Sequence, residues 1–131
     1  LVSQVDLFSS LAEIINQPVA GDAARDSFDV SSSLLGKDKT GRTELVNEGQ
    51  GAKVCLRQDN WVYIPPYEGP AVFDTTGIES GFSSEPQLYN LNEDISERND
   101  LAGKYPERVD NMSDRLEEIL DSESTRPGYE G

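Results

Sequence analysis

The 131-residue chain carries 25 carboxylates and not one histidine. Losing histidine removes the commonest general base and the commonest zinc ligand together. Ser31, Ser32 and Ser33 therefore have no imidazole to activate them, and they do not sit in a nucleophile elbow. Cys55 is the single cysteine, so no intrachain disulfide forms and a Cys/His metal site is excluded. Between Val54 and Leu56 it reads as a small, half-buried hydrophobe rather than a nucleophile. Gly49-Gln50-Gly51 lacks the further glycine and the lysine of a phosphate loop. Acid pairs occur at Glu44 and Glu48, among Glu93, Asp94 and Glu97, and at Glu117 and Glu118, as chance alone predicts with so many acids. Asn92-Glu93-Asp94 lacks the pattern and central glycine of a calcium loop. Trp61 and Tyr63 have the ring chemistry to stack on a sugar, but core aromatics are the commoner case in a hairpin. No catalytic residue and no metal-binding set is expected in this chain.

The formal charge is −14, from 25 acidic and 11 basic residues, and the field it creates repels nucleic acid and anionic membranes. No nucleic-acid partner is expected. No run of apolar residues approaches the roughly 20 needed to span a bilayer, so no membrane span is expected either. Hydrophobic residues make up 35%, with a mean hydropathy of −0.58, which fits a thin core. The length suits one domain, or a domain with a fragment of another. The chain opens Leu1-Val2-Ser3-Gln4, without Met and without a recognisable leader, and is expected to be a piece of something longer.

Elements must position whatever these residues do. Ser3 and Asp6 have capping-box spacing, and Val5, Phe8, Leu11, Ala12 and Ile15 follow at helical spacing, widened by Leu7 and Ile14, until Pro18 stops the helix. Such an apolar helix must lie against something, either the rest of this chain or a partner domain. Residues 20–39 read as loop with a helical turn over 32–35. Thr43–Asn47 is a short strand candidate. Lys53–Arg57 and Trp61–Ile64 form a hairpin across Gln58-Asp59-Asn60. Pro65-Pro66 ends it, a long loop runs from Tyr67 to Glu85, and Gln87–Leu91 is a further strand. Pro106 opens a last helix with Val109, Met112, Leu116, Ile119 and Leu120 in one stripe. The order is α+β: a small antiparallel sheet of about four strands packed against a C-terminal amphipathic helix.

Four stretches together resemble sulfatases of the alkaline-phosphatase-like superfamily. Cys55-Leu56-Arg57-Gln58-Asp59-Asn60-Trp61-Val62-Tyr63-Ile64 is similar to the family's A-[LIV]-R-x-G-x-W-K-[LY]-I strand pair, with Val62 in place of Lys and Asp59 in place of Gly. Leu88-Tyr89-Asn90-Leu91, continuing through Asp94, Glu97, Leu101 and Ala102 to Pro106-Glu107, resembles L-Y-[DN]-L-x-x-D-P-x-E-x-x-N-L-A followed by P-E, with Ile95 for the Pro and Asp100 for the Asn. Upstream, Asp26-Ser27-Phe28 and Leu34-Leu35-Gly36-Lys37, and before them Val5-Asp6-Leu7 with Leu11, match two further family segments in the right order.

The resemblance implies the C-terminal portion of a sulfuric ester hydrolase. It would place the tail of an α/β catalytic domain, including the first helix, over residues 1–40, a C-terminal subdomain over 41–121 and a flexible tail over 122–131. It implies a Ca²⁺ ion and a formylglycine in the N-terminal catalytic domain of the same polypeptide, and no cofactor here. The formylglycine motif C/S-x-P/A-x-R is not matched by Cys55-Leu56-Arg57-Gln58-Asp59. The partners implied are that catalytic domain and, through it, a sulfate ester, with this segment shaping the substrate entrance from the Tyr67–Glu85 loop. Tyr67, Glu68 and Asp74 are the rim candidates. Periplasmic, secreted and lysosomal placement all remain open by resemblance. A reading from a different class is a free-standing acidic module that binds carbohydrate through Trp61, Tyr63 and Tyr67.

Overall fold

A computed structural model describes residues 1–130; Gly131, the last residue of the expected tail, lies outside them. The chain divides into two compact units, Leu1–Leu45 with Glu117–Gly131, and Val46–Leu116.

In the second unit the expected hairpin is present. Strand β2 (Val54–Gln58) pairs antiparallel with β3 (Trp61–Ile64), closed by the two-residue loop Asp59-Asn60. Asp59 adopts a left-handed φ of 51°, which aspartate tolerates better than most side chains. Strand β4 (Gln87–Asn90) adds antiparallel to β3, and β1 (Glu44–Glu48) takes the far edge, giving the order β1-β2-β3-β4. The observed architecture is the expected α+β one, with β1 and β2 each shifted by a residue and β4 trimmed by one.

Register decides the faces. Leu56, Tyr63 and Leu88 are cross-strand partners and share one face with Trp61. Helix α3 (Pro106–Asp121) lies on that face: the Tyr63 hydroxyl donates to Ser113 Oγ at 3.0 Å, and Val109, Met112 and Leu116 are buried along its stripe. Leu120, at the end of the predicted stripe, is exposed. The opposite face presents Arg57, Val62 and Tyr89, again in register.

The first unit is built differently. Its first turn, Gln4–Asp6, is a 3₁₀ turn running into α1 (Leu7–Ile14). The capping arm expected of Asp6 forms, with the Ser3 amide donating to Asp6 Oδ2 at 2.8 Å. Helix α2 (Ser31–Leu34) is a single turn. The residues that α1 buries are Ser9 and Ser10, beside a fully buried Asp6, while Val5, Leu7, Phe8, Leu11, Ile14 and Ile15 are all exposed, Phe8 at 59% and Ile15 at 66%. The expected apolar stripe exists, and among the described residues its large side chains are exposed.

The inward side of that helix is held by polar bonds. Asp6 accepts from the amides of Ser3 and Phe28 and from Arg42 Nε, which approaches both its oxygens at 2.8 and 2.9 Å. The Arg42 guanidinium also stacks 4.0 Å over Phe28 and donates to the Asp26 carbonyl. Ser9 donates twice to Ser27, its amide to the hydroxyl and its hydroxyl to the carbonyl, and the Ser10 hydroxyl accepts from the Val30 amide. The buried side chains of Asp6, Ser9, Ser10, Ser27 and Arg42 thus have partners, as the cost of leaving such groups unmet favours, whereas Arg126 Nε in the same unit is buried without one. In the stretch expected as a tail, the amides of Thr125, Arg126 and Glu130 donate to Asp26, Arg25 and Gly21.

Candidate functional site

The long loop after β3 is not structureless. Val72 and Glu79 form an antiparallel bridge, flanked by Phe73 N–H to Ile78 O at 2.9 Å and Ser80 N–H to Ala71 O at 2.9 Å. A turn over residues 73–77 closes this small hairpin, with Gly77 at a φ of 66° where a side chain would be strained. At its base Tyr67, Phe82 and Phe73 meet edge to face, with centroids 6.4 and 5.9 Å apart. Phe82 lies directly against Gly69, in space that a Cβ would need. The sequence reading missed this aromatic cluster; its only signal was three rings spaced through a glycine-rich loop.

The three rim candidates therefore have different surroundings. Tyr67 is half-buried, and its hydroxyl both donates to the Val54 carbonyl and accepts from the Val54 amide, each at 2.8 Å. Lys53 Nζ sits 4.8 Å from the centre of its ring. Glu68 is exposed beside it, and Asp74 is exposed at the loop tip. Among the described residues no hydrogen bond or ion pair joins Asp74 to Tyr67 or Glu68. The proposed sugar platform is also divided: Tyr63 is only 3% exposed and bonded to Ser113, while Trp61 remains partly accessible.

A mostly apolar cleft of about 210 Å³ opens beside Tyr67, lined by Cys55, Ile64, Phe82 and Lys53 among others. Burial pushes the Cys55 thiol above its ordinary pKa, and the negative charge of Glu97 adds to that shift, outweighing hydrogen bonds with Asn47. A thiol held protonated in this way is a poor nucleophile. The adjacent turn after β4 is a closed carboxylate cage. Asp94 Oδ2 accepts from the amides of Asn99 and Arg98 at 2.7 and 2.6 Å, which holds the Asp94 carboxyl below its ordinary value. Glu97 moves the other way, raised by burial and by the charge of Asp94, against Arg57.

These donors do not fit the cofactors that the resemblance implies. Among the described residues no three Asp, Glu, Cys or His side chains group to hold a metal ion. Cys55 lies mid-strand, half-buried, and lacks the proline or alanine and the arginine that should follow a formylglycine precursor. No helix is long and apolar enough to cross a membrane among the described residues.

No protein-family model matches the chain. The N-acetylgalactosamine-6-O-sulfatase of Bacteroides thetaiotaomicron is 40% identical over 119 residues, covering 91% of this chain and 23% of that protein. The chain is a sulfatase homologue. Arylsulfatase K of Xenopus laevis is 28% identical over 132 residues, covering 92% of this chain and 22% of its own length. A solved Bacteroides thetaiotaomicron structure, reported with that organism's metabolism of multiple glycosaminoglycans, superposes with a TM-score of 0.88 at 39% identity, over 93% of this chain and 25% of that one. This sulfatase segment thus spans about a quarter of the length of the relatives it matches. That share accords with the C-terminal portion that its motifs resemble.

Proposed function

We propose that this segment packs on the catalytic domain of a sulfuric ester hydrolase and shapes its substrate entrance, and that it is not catalytic alone. The observation that carries the reading is the uncovered apolar side of α1. Six large apolar side chains from Val5 to Ile15 face outward over a polar inner seam, an arrangement that favours burial against a further surface. The sheet with α3 forms the body that presents the folded 67–85 loop, whose Glu68 and Asp74 are free to meet an incoming ligand. Tyr67 fixes the base of that loop rather than contacting substrate, because its hydroxyl is already bonded twice. The attack on sulfur, the formylglycine and the Ca²⁺ ion belong in this reading to the catalytic domain. The name of the 40% identical Bacteroides relative supports a sulfated sugar as the ester.

The test compares the 131-residue chain with the longer polypeptide that its coding sequence specifies upstream of Leu1. The reading expects C/S-x-P/A-x-R upstream, ester hydrolysis by the longer polypeptide, and none by the chain alone with or without Ca²⁺. Metal-dependent turnover by the purified chain contradicts it, and so does a start codon within a few dozen residues upstream.

A further inference from the structure

The N-terminal end of α3 borders a cavity of about 560 Å³ that no part of the sulfatase reading uses. Its charged lining is Lys104, Glu107 and Arg108, one acid against two cations, within a chain whose net charge is −14. Neither cation has an ion-pair partner among the described residues. Both are instead laid on aromatic rings. The Arg108 guanidinium carbon stands 4.5 Å from the centre of Trp61, and Lys104 Nζ stands 5.1 Å from that of Tyr105. The two rings meet edge to face, 5.4 Å apart at 75°, so the cations share one aromatic backing. A guanidinium stacked on an indole keeps its N–H edge free for a forked bond to an oxyanion. The amides of Gln58 and Asn111 add neutral donors and acceptors on the same lining.

We propose that this cavity binds an anionic sugar, its sulfate or carboxylate held by Arg108 and Lys104 and its ring set against Tyr105, with the hydroxyls met by Gln58 and Asn111. An isolated inorganic anion would use the cations but not the ring or the amides. The volume and mixed lining suit a monosaccharide unit. The site stands on unit 46–116 alone and does not depend on where ester hydrolysis takes place.

Trp61 is the chain's single tryptophan, so its fluorescence reports on this site. The chain is titrated with glucose 6-sulfate, glucuronate, glucose and inorganic sulfate, at constant ionic strength. The expected result is a saturable Trp61 response to one or both anionic sugars and none to glucose. The tighter of the two identifies sulfate or carboxylate as the preferred group. Arg108→Gln should weaken binding about tenfold or more, the size of one lost charge-assisted hydrogen bond, and Arg108→Lys should restore only part of it. Lys104→Gln, on an exposed side chain, should weaken binding by a smaller factor while leaving the far-ultraviolet circular dichroism unchanged. A silent Trp61, a response unaffected by both Arg108→Gln and Lys104→Gln, or inorganic sulfate binding as tightly as the sugars overturns the proposal. Hydrolysis by the longer polypeptide is scored separately: its loss with sugar binding intact sinks the sulfatase reading and leaves this site standing.

Discussion

The two units of this chain bury opposite kinds of residue. In 46–116 the interior is apolar: Leu56, Leu88 and Met112 are almost fully enclosed, and the charges sit outside. In the unit around α1 the buried residues are mostly polar, Asp6, Ser9, Ser10, Ser27, Ser31 and Arg42 with Val30 alone among the apolar ones, and the large apolar side chains of α1 point outward. A buried polar seam can be satisfied, but it supplies little net stabilisation compared with packing hydrocarbon. The contrast teaches that one unit is organised around an apolar core, whereas the other encloses mainly polar groups and leaves the apolar side of its helix exposed.

Single substitutions sharpen this contrast. Asp6→Ala strips the carboxylate from a buried Arg42 and should cost about 3–5 kcal/mol, measured by urea denaturation, because an unpaired buried charge remains. Replacing both, Asp6→Ala with Arg42→Met, should recover much of that loss. A double variant as unstable as the single one would mean that the seam is more than this ion pair. Leu56→Ala in the other unit should cost about 2–5 kcal/mol through lost burial and a cavity under α3. A loss below about 1 kcal/mol would show that the sheet and α3 are loosely packed.

The outward face of α1 should behave in the reverse sense. Phe8→Ser with Leu11→Ser should change the stability of the chain by about 0.5 kcal/mol or less, as exposed positions do, while reducing self-association in sedimentation velocity. A loss of several kcal/mol would mean that this face is covered in solution, and the contrast between the units would fail. The smallest effect is expected at Asp94. Its carboxyl is held below the ordinary value by the Asn99 and Arg98 amides. Its contribution should therefore be full above the pKa of the unfolded chain and fade as pH falls through the lower folded value. Asp94→Asn should flatten the acid limb of the stability curve without changing its level near neutrality relative to pH 6. An unchanged acid limb would leave the cage no role in holding the turn.

Much of the fold was legible because local rules and long-range packing agree there. Asp59-Asn60 between β-branched and aromatic runs specifies the hairpin, and Pro106 ahead of Val109, Met112 and Leu116 specifies α3 and its buried face. The 67–85 loop was legible only as a loop. Its bridge at Val72 and Glu79 and its aromatic cluster arise from ring contacts and backbone pairing between residues that carry no periodic signal. The rim candidates were chosen for chemistry, and the tertiary structure assigned Tyr67 a backbone partner that no spacing rule could supply.

By itself the sequence determined the absence of histidine, the excess of acid, the order of elements and the motifs shared with sulfatases, because composition and local spacing are properties of the chain. Which side of α1 faces inward was decided only in three dimensions. Val5, Phe8 and Leu11 have the spacing of a buried stripe, yet Asp6, Ser9 and Ser10 have the partners: Arg42, Ser27 and Val30 lie 18 to 36 residues away. The same is true of Arg108 over Trp61, a juxtaposition of a helix start and a hairpin that exists only once α3 lies on the sheet.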